Sequence, residues 1–158
     1  MKEQKIEINY QLLQEEELTF RERELMKAAE TITDNAYAPY SHFKVGVALS
    51  CSDGTIFTGA NMENASYPLS ICAEGAALTS YRNSGNNEPI EIVAIKVKSR
   101  TGKVSHPVTP CGGCRQLLNE VEKPGHPINF ILQGDEGDIL KIIGIANLLP
   151  LSFKGDIL

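Results

Sequence analysis

Cys72-Ala73-Glu74 and, further along, Pro110-Cys111-Gly112-Gly113-Cys114 carry the side chains of this chain best suited to chemistry. Three thiols can fill three corners of a tetrahedral zinc site, and a catalytic zinc takes three protein ligands and leaves the fourth position to water. Cys72, Cys111 and Cys114 are the candidate ligands. Glu74 is the candidate acid and base. Two residues beyond a ligand, its carboxylate can project beside the ion without binding it, free to pass protons between water and a leaving group. The same residues admit other readings, since a lone Cys-x-x-Cys also serves as a redox pair or as half of a structural zinc site. A structural site wants a fourth ligand, and Cys51 is the only spare cysteine. It follows the strand-like run Val45 to Leu49 and reads as a packed small hydrophobe.

The ligands need helix starts to hold them. A Cys-x-x-Cys pair at a helix N-terminus puts two sulfurs within reach of one ion, where exposed N–H groups and the positive helix end favour thiolate. Pro110 suits an extended approach into such a helix, expected from about Gly112 through Val121. Cys72 to about Tyr81 is rich in Ala and also reads as helix, with Cys72 in its first turn.

Around these helices the periodicity predicts a sheet. Thr19 to about Asn35 is a helix, with Thr19 and Glu22 spaced as a capping box and Leu25, Ala28, Ala29 and Ile32 on one face. Phe43 to Ser50 is a strand, Asp53-Gly54 a turn and Thr55 to Gly59 the returning strand. Ile90 to Val97, Ile128 to Gln133 and Ile139 to Ile143 are three more, Ser99 to Thr109 is loop, Lys123 to Pro127 breaks a helix, and Ile145 to Pro150 is a helical turn before a tail. The result is an α/β fold: one mixed, five-stranded sheet with helices on its faces. Residues 1–17 form a polar arm, either disordered or a short strand through the alternating Ile6, Ile8 and Tyr10, and residues 18–158 form a single domain. Asn61 to Asn64 lies between a strand end and the first cysteine helix, where a substrate's hydroxyls could be read or where Asn could simply make a turn. Phe43 is either core or one wall of a pocket. His42, His106 and His126 lack ligand spacing to the cysteines and belong to surface or loops.

Composition narrows the partners. A chain of 158 residues with 42% hydrophobic content can bury one core. A net charge of -5 argues against a polynucleotide partner and for a small molecule. No apolar run reaches membrane-spanning length, and the few cysteines suit a reducing compartment, so the expectation is cytoplasmic with no membrane partner.

Asn-Met-Glu-Asn-Ala-Ser-Tyr-Pro-Leu-Ser-Ile-Cys-Ala-Glu from Asn61 to Glu74, with Thr-Pro-Cys-Gly-Gly-Cys-Arg-Gln from Thr109 to Gln116, closely resembles the small homotetrameric cytidine deaminases. The likeness extends to Tyr37-Ala38-Pro39-Tyr40-Ser41-His42-Phe43 and to Leu148 through Phe153, leaving the first seventeen or so residues outside. It implies a three-layer α/β/α fold, one Zn2+ per chain and hydrolytic deamination of cytidine, and of deoxycytidine, to uridine and ammonia in pyrimidine salvage. Zinc hydroxide would attack C4 of the base while Glu74 shuttles the protons. The resemblance further implies that Asn61 and Glu63 bind the ribose, chiefly its 3'-hydroxyl, and that Phe43 packs on the nucleoside. The backbone at Ala73 would meet the pyrimidine edge. Tyr67 would sit at a subunit junction, and Phe153 would reach a neighbour's base in a homotetramer with shared sites.

One position departs from that family's pattern, which usually has Arg directly after the Glu. Here it is Gly75. Without that cation on the sulfurs the ion is a weaker Lewis acid, unless Arg115, Arg82, Lys44 or the helix N-termini compensate. Gly75 also motivates a rival reading, deamination of another aminopyrimidine nucleoside such as an antibiotic analogue. A rival of a different class is a non-catalytic, zinc-stabilised scaffold that binds nucleosides; Glu74 is its chief difficulty.

Overall fold

Thr19 starts the first long helix as its spacing to Glu22 requires. In the computed structural model, which describes residues 1–100 and 103–155, the Thr19 hydroxyl accepts the Glu22 N–H at 3.3 Å. The Glu22 carboxylate in turn accepts the Thr19 N–H at 2.9 Å. The helix, α1 (Phe20–Ile32), tightens into a 3-10 turn at Thr33–Asn35.

Among the described residues six strands form one sheet: β1 (Gln11–Leu13), β2 (Lys44–Cys51), β3 (Ile56–Ala60), β4 (Ile90–Lys98), β5 (Asn129–Gln133) and β6 (Ile139–Ile143). Their order is β1-β6-β5-β4-β2-β3. Only the β4/β5 pair is parallel, joined through a crossover helix, so the sheet is mixed as expected. The count of five is corrected to six. The extra strand comes from the arm, where Gln11, Leu12 and Leu13 pair with Lys141, Leu140 and Ile139. β6 would otherwise offer a row of unpaired backbone groups, and the arm covers that edge. Ile6, Ile8 and Tyr10, which suggested a strand, stay unpaired and exposed.

Strand alternation divides the core between two faces. α1 covers Ala48, Ile92, Ala94, Ile131 and Ile139 on one side. On the other, α2 (Ala73–Asn83), α3 (Gly112–Val121) and α4 (Ile145–Leu148) cover Val47, Leu49, Val93, Ile95, Phe130, Leu132 and Ile142. These are the three layers the resemblance implies. Gly59, opposite Val47, makes the second face possible, because a Cβ there would lie 2.3 Å from the Ala77 nitrogen and 2.6 Å from the Ala73 oxygen. α2 therefore rests directly on the strand backbone. Among the described residues no helix is long and apolar enough to cross a membrane. Residues 101 and 102 of the expected Ser99 to Thr109 loop, and 156–158 of the expected tail, lie outside the described residues.

Candidate active site

Two helix starts meet at the cysteines. Cys72 and Cys111 are the N-cap residues of α2 and α3, both extended, and Cys114 occupies the first turn of α3. Cys72 thus sits one position before the helix, not within its first turn. The chain ahead of each is fixed. Ile71 exchanges two backbone hydrogen bonds of 2.9 Å with Met62. Arg115 ties down the approach to Cys111 by donating to the Pro110 carbonyl at 2.8 Å, the Thr109 hydroxyl at 3.0 Å and the Leu148 carbonyl at 2.7 Å.

The sulfurs of Cys72, Cys111 and Cys114 all lie within 4.8 Å of one another. A tetrahedral zinc with bonds of about 2.3 Å holds its sulfurs about 3.8 Å apart, so the cluster has the size and donor set of a zinc site. The three thiols are electrostatically unequal. The Cys114 backbone N–H, helped by its S–H and by the Gly113 N–H, holds the Cys111 thiol below its ordinary range. Burial pushes Cys72 and Cys114 up, and the Glu74 carboxylate adds to it. A cation placed among them reverses that preference, because metal binding requires and drives loss of the thiol protons. Cys51 belongs elsewhere: it is fully buried in the core beneath α2, and burial pushes its thiol up to about 11.

Glu74 lies in the first turn of α2 and is only 6% exposed. It opens into a cleft of about 260 Å³ whose lining includes all three cysteines, Ala73, Phe43, Asn61 and Glu63, with Val45, Ile71, Ile95, Val108 and Thr109. No Lys, Arg or His is among the described residues lining it. Larger hollows of about 560 and 620 Å³ elsewhere contain none of the candidate residues.

Asn61 and Glu63 are held in place, not free. The Asn61 amide donates to the Phe43 carbonyl at 3.0 Å and accepts the Val45 N–H at 2.8 Å. The Glu63 carboxylate accepts the N–H groups of Tyr40 at 2.9 Å and Ser41 at 3.3 Å, and the Ser41 hydroxyl. That hydroxyl, outweighing partial desolvation, keeps Glu63 below the usual carboxylate range.

Two candidates lie outside the cleft of their own chain. Tyr67 is 74% exposed, edge-on to Tyr40 at 6.4 Å, beside a hollow of about 350 Å³ that shares Glu63 and Ser70 with the cleft. Phe153 is 57% exposed, its carbonyl accepting from the side chains of Gln116 at 3.0 Å and Asn119 at 3.1 Å. His42, His106 and His126 are exposed, as expected, and none joins the cysteine cluster. Sequence reasoning did not single out Thr109, Val108 and Ile95 as lining residues or Ser41 as a partner of Glu63. None carries a local signature, although Thr109 and Ser41 stand inside the quoted motifs.

The compensation imagined for Gly75 is absent from the side chains. Among the described residues no Arg or Lys nitrogen donates to a cysteine sulfur. Arg115 is occupied by oxygens, and Arg82 lies in the last turn of α2 over the Tyr81 ring at 5.4 Å. The Cys111 thiol is served by the backbone N–H groups of Cys114 and Gly113 and by the Cys114 S–H.

Residues 20–125 match the sequence profile of the cytidine and deoxycytidylate deaminase zinc-binding region. The chain is 40% identical over 132 residues to a cytidine deaminase of Halalkalibacterium halodurans, covering 84% of this chain and 93% of that one. It is 35% identical over 130 residues to a cytidine deaminase of Sporosarcina psychrophila, covering 82% and 89%. Its fold is similar to the crystal structure of cytidine deaminase from Burkholderia pseudomallei, with a TM-score of 0.73 and 38% identity over 86% of this chain and all of that one.

Proposed function

Because the chain belongs to the cytidine and deoxycytidylate deaminase family with its zinc-binding region, we propose that it hydrolyses cytidine, and deoxycytidine, to uridine or deoxyuridine and ammonia. The observation that carries this reading is the burial of Glu74 beside three clustered thiols at the base of a cleft. A structural zinc would need neither that carboxylate nor that opening, so the scaffold reading is the weaker one. Cys72, Cys111 and Cys114 hold the zinc, which when bound supplies Lewis acidity that makes water nucleophilic at neutral pH. Glu74 accepts the proton of the attacking water and delivers it to N3 of the ring, which makes C4 electrophilic. It then takes the second proton, from the hydroxyl now on C4, and hands it to the amino group, so that the C–N bond breaks, ammonia leaves and C4 becomes a carbonyl. Helix α2 holds that carboxylate in one place for both transfers, and the backbone at Ala73 borders the same space.

Phe43 supplies an apolar wall for the nucleoside, and Asn61 and Glu63 supply polar groups for the sugar, chiefly its 3'-hydroxyl. The lining favours an unphosphorylated substrate. A 5'-phosphate would find no cation there and would face Glu63 and Glu74. The protein acts as a homotetramer with shared sites. Support comes from the exposed Tyr67, Leu69 and Ile71 in the segment that leads to α2, and from the exposed Phe153 lying outside the cleft of its own chain. It works in the cytoplasm, a reading supported by four cysteines that are all free.

The test follows the loss of ultraviolet absorbance with cytidine, deoxycytidine, deoxycytidylate and an aminopyrimidine antibiotic nucleoside. Wild-type protein should convert the first two and leave the nucleotide nearly untouched. Glu74→Gln should keep zinc and lose several orders of magnitude in kcat. Zinc-loaded protein that turns over no aminopyrimidine refutes the enzyme reading, and preference for the antibiotic establishes the rival substrate.

A further inference from the structure

The loop before β2 and the strand-like segment after β3 are joined through one hydroxyl. Ser41 Oγ donates to Glu63 Oε1 and accepts the Phe43 N–H at 3.0 Å. Glu63 Oε2 takes the Tyr40 and Ser41 N–H groups at 2.9 and 3.3 Å. Between Ser41 and Phe43, His42 adopts a left-handed φ of 55°, uncommon outside glycine, and its N–H is held by the Ala38 carbonyl at 3.0 Å. That turn brings the Phe43 N–H back over the Ser41 hydroxyl.

A carboxylate has about four acceptor positions, and the loop occupies three of those on Glu63. What remains has a fixed direction. We propose that Ser41 is a positioning residue for sugar recognition: its hydroxyl locks the Glu63 carboxylate to the Phe43 backbone and leaves Glu63 one oriented acceptor for a substrate hydroxyl. The proposal rests on the reading of this cleft as a nucleoside site. Ser41 itself need not touch the substrate. Without its hydroxyl the carboxylate can rotate toward solvent, and the Phe43 N–H loses its acceptor. Recognition then weakens at two walls together, while Glu74 and the thiols keep their places on α2 and α3.

The experiment compares zinc-loaded wild type, Ser41→Ala, Ser41→Thr and Glu63→Gln, with cytidine and 3'-deoxycytidine as substrates. Losing one hydrogen bond to a charged group is worth roughly tenfold or more. Ser41→Ala should therefore raise KM for cytidine about tenfold, lower kcat by no more than about threefold, and shrink the preference for cytidine over 3'-deoxycytidine by about the same tenfold. Ser41→Thr, which keeps the hydroxyl, should restore KM and the preference. An unchanged preference in Ser41→Ala, or a Ser41→Thr that behaves like it, overturns the proposal. So does a kcat that falls with the melting temperature while KM stays fixed, the mark of a merely structural residue. If Glu63→Gln also keeps the preference, Glu63 does not read the sugar and that part of the functional reading fails with it. If Glu63→Gln loses the preference and Ser41→Ala does not, only the role of Ser41 is refuted.

Discussion

The Asn61 side chain closes a two-bond bridge onto the start of β2, with Nδ2 on the Phe43 carbonyl at 3.0 Å and Oδ1 on the Val45 N–H at 2.8 Å. A residue expected to read the sugar is therefore also part of the wall that the base would rest on. Asn61→Ala should lower stability by about 1–3 kcal/mol, the worth of two net hydrogen bonds, and raise KM as well. Thermal melting and steady-state kinetics on the same sample check it. A raised KM with an unshifted melting temperature would mean that the bridge contributes nothing to the fold.

Gly59 sets the height of the helix that carries Glu74. Adding one methyl there places carbon 2.3 Å from the Ala77 nitrogen and 2.6 Å from the Ala73 oxygen, both of them backbone atoms that cannot rotate aside. Gly59→Ala should push α2 off the sheet at a cost of about 1–3 kcal/mol or more. Because a displacement of about 1 Å can cost about a hundredfold in rate, kcat should fall steeply and zinc content per chain should drop. Circular dichroism, metal analysis and kinetics test this together. Full zinc content with normal kcat would show that the helix is not seated by this glycine.

Why some of this was legible and some not follows from the range of the interactions. The Thr19–Glu22 cap, the Asp53-Gly54 turn with its left-handed glycine (φ 84°) and the bounds of α3 are local, so composition and spacing suffice to read them. The cluster of Cys72 with Cys111 and Cys114 is long-range but carries a spacing signature. β1 depends on an open edge of β6 more than a hundred residues away, and no periodicity announces which three residues will fill it. The Asn61, Ser41 and Arg115 bonds join residues 18, 22 and 33 positions apart through side chains that look like ordinary polar loop residues. Arg115 illustrates the difference: sequence offers it as a cation for the sulfurs, whereas the backbone carbonyls around it claim its guanidinium.

An ion pair between buried Glu22 on α1 and half-buried Lys141 on β6 gives a pH dependence. Glu22, 2% exposed, loses solvation on burial, which raises its pKa. The Lys141 ammonium at 2.6 Å, Thr19 and the Asn129 amide outweigh that loss and hold the carboxyl down at about 2, from about 4.5. A depressed folded-state value means that the unfolded chain takes up the proton first. The contribution is therefore complete above about pH 4.5 and fades as pH falls toward 2, and it amounts to about 3 kcal/mol. Glu22→Gln should lower stability at pH 7 and flatten its pH dependence between about 5 and 2. Urea unfolding at several pH values decides it. Parallel wild-type and variant curves across that window would show that the pair is not coupled to folding.

Gly75 is the position where the site's electrostatics can be tested by addition. Three thiolates around a doubly charged ion leave a net negative centre, and among the described residues no Arg or Lys side chain donates to the sulfurs, whereas the backbone N–H groups of Cys114 and Gly113 do serve Cys111. Space is available, because a Cβ at Gly75 would meet only Leu117 at 3.8 Å and Ile71 at 4.0 Å, ordinary contacts. Gly75→Ala should therefore stabilise α2 by up to about 1 kcal/mol through helix propensity alone, without changing the charge at the site. Gly75→Arg adds a guanidinium that can reach toward the thiolates, so it should raise kcat relative to Gly75→Ala and slow zinc release to a competing chelator. The chelation rate reads the metal site independently of turnover. If the Arg and Ala variants release zinc and turn over substrate at the same rates, the missing cation does not limit this centre. Helix N–H groups then suffice to hold three thiolates on one ion.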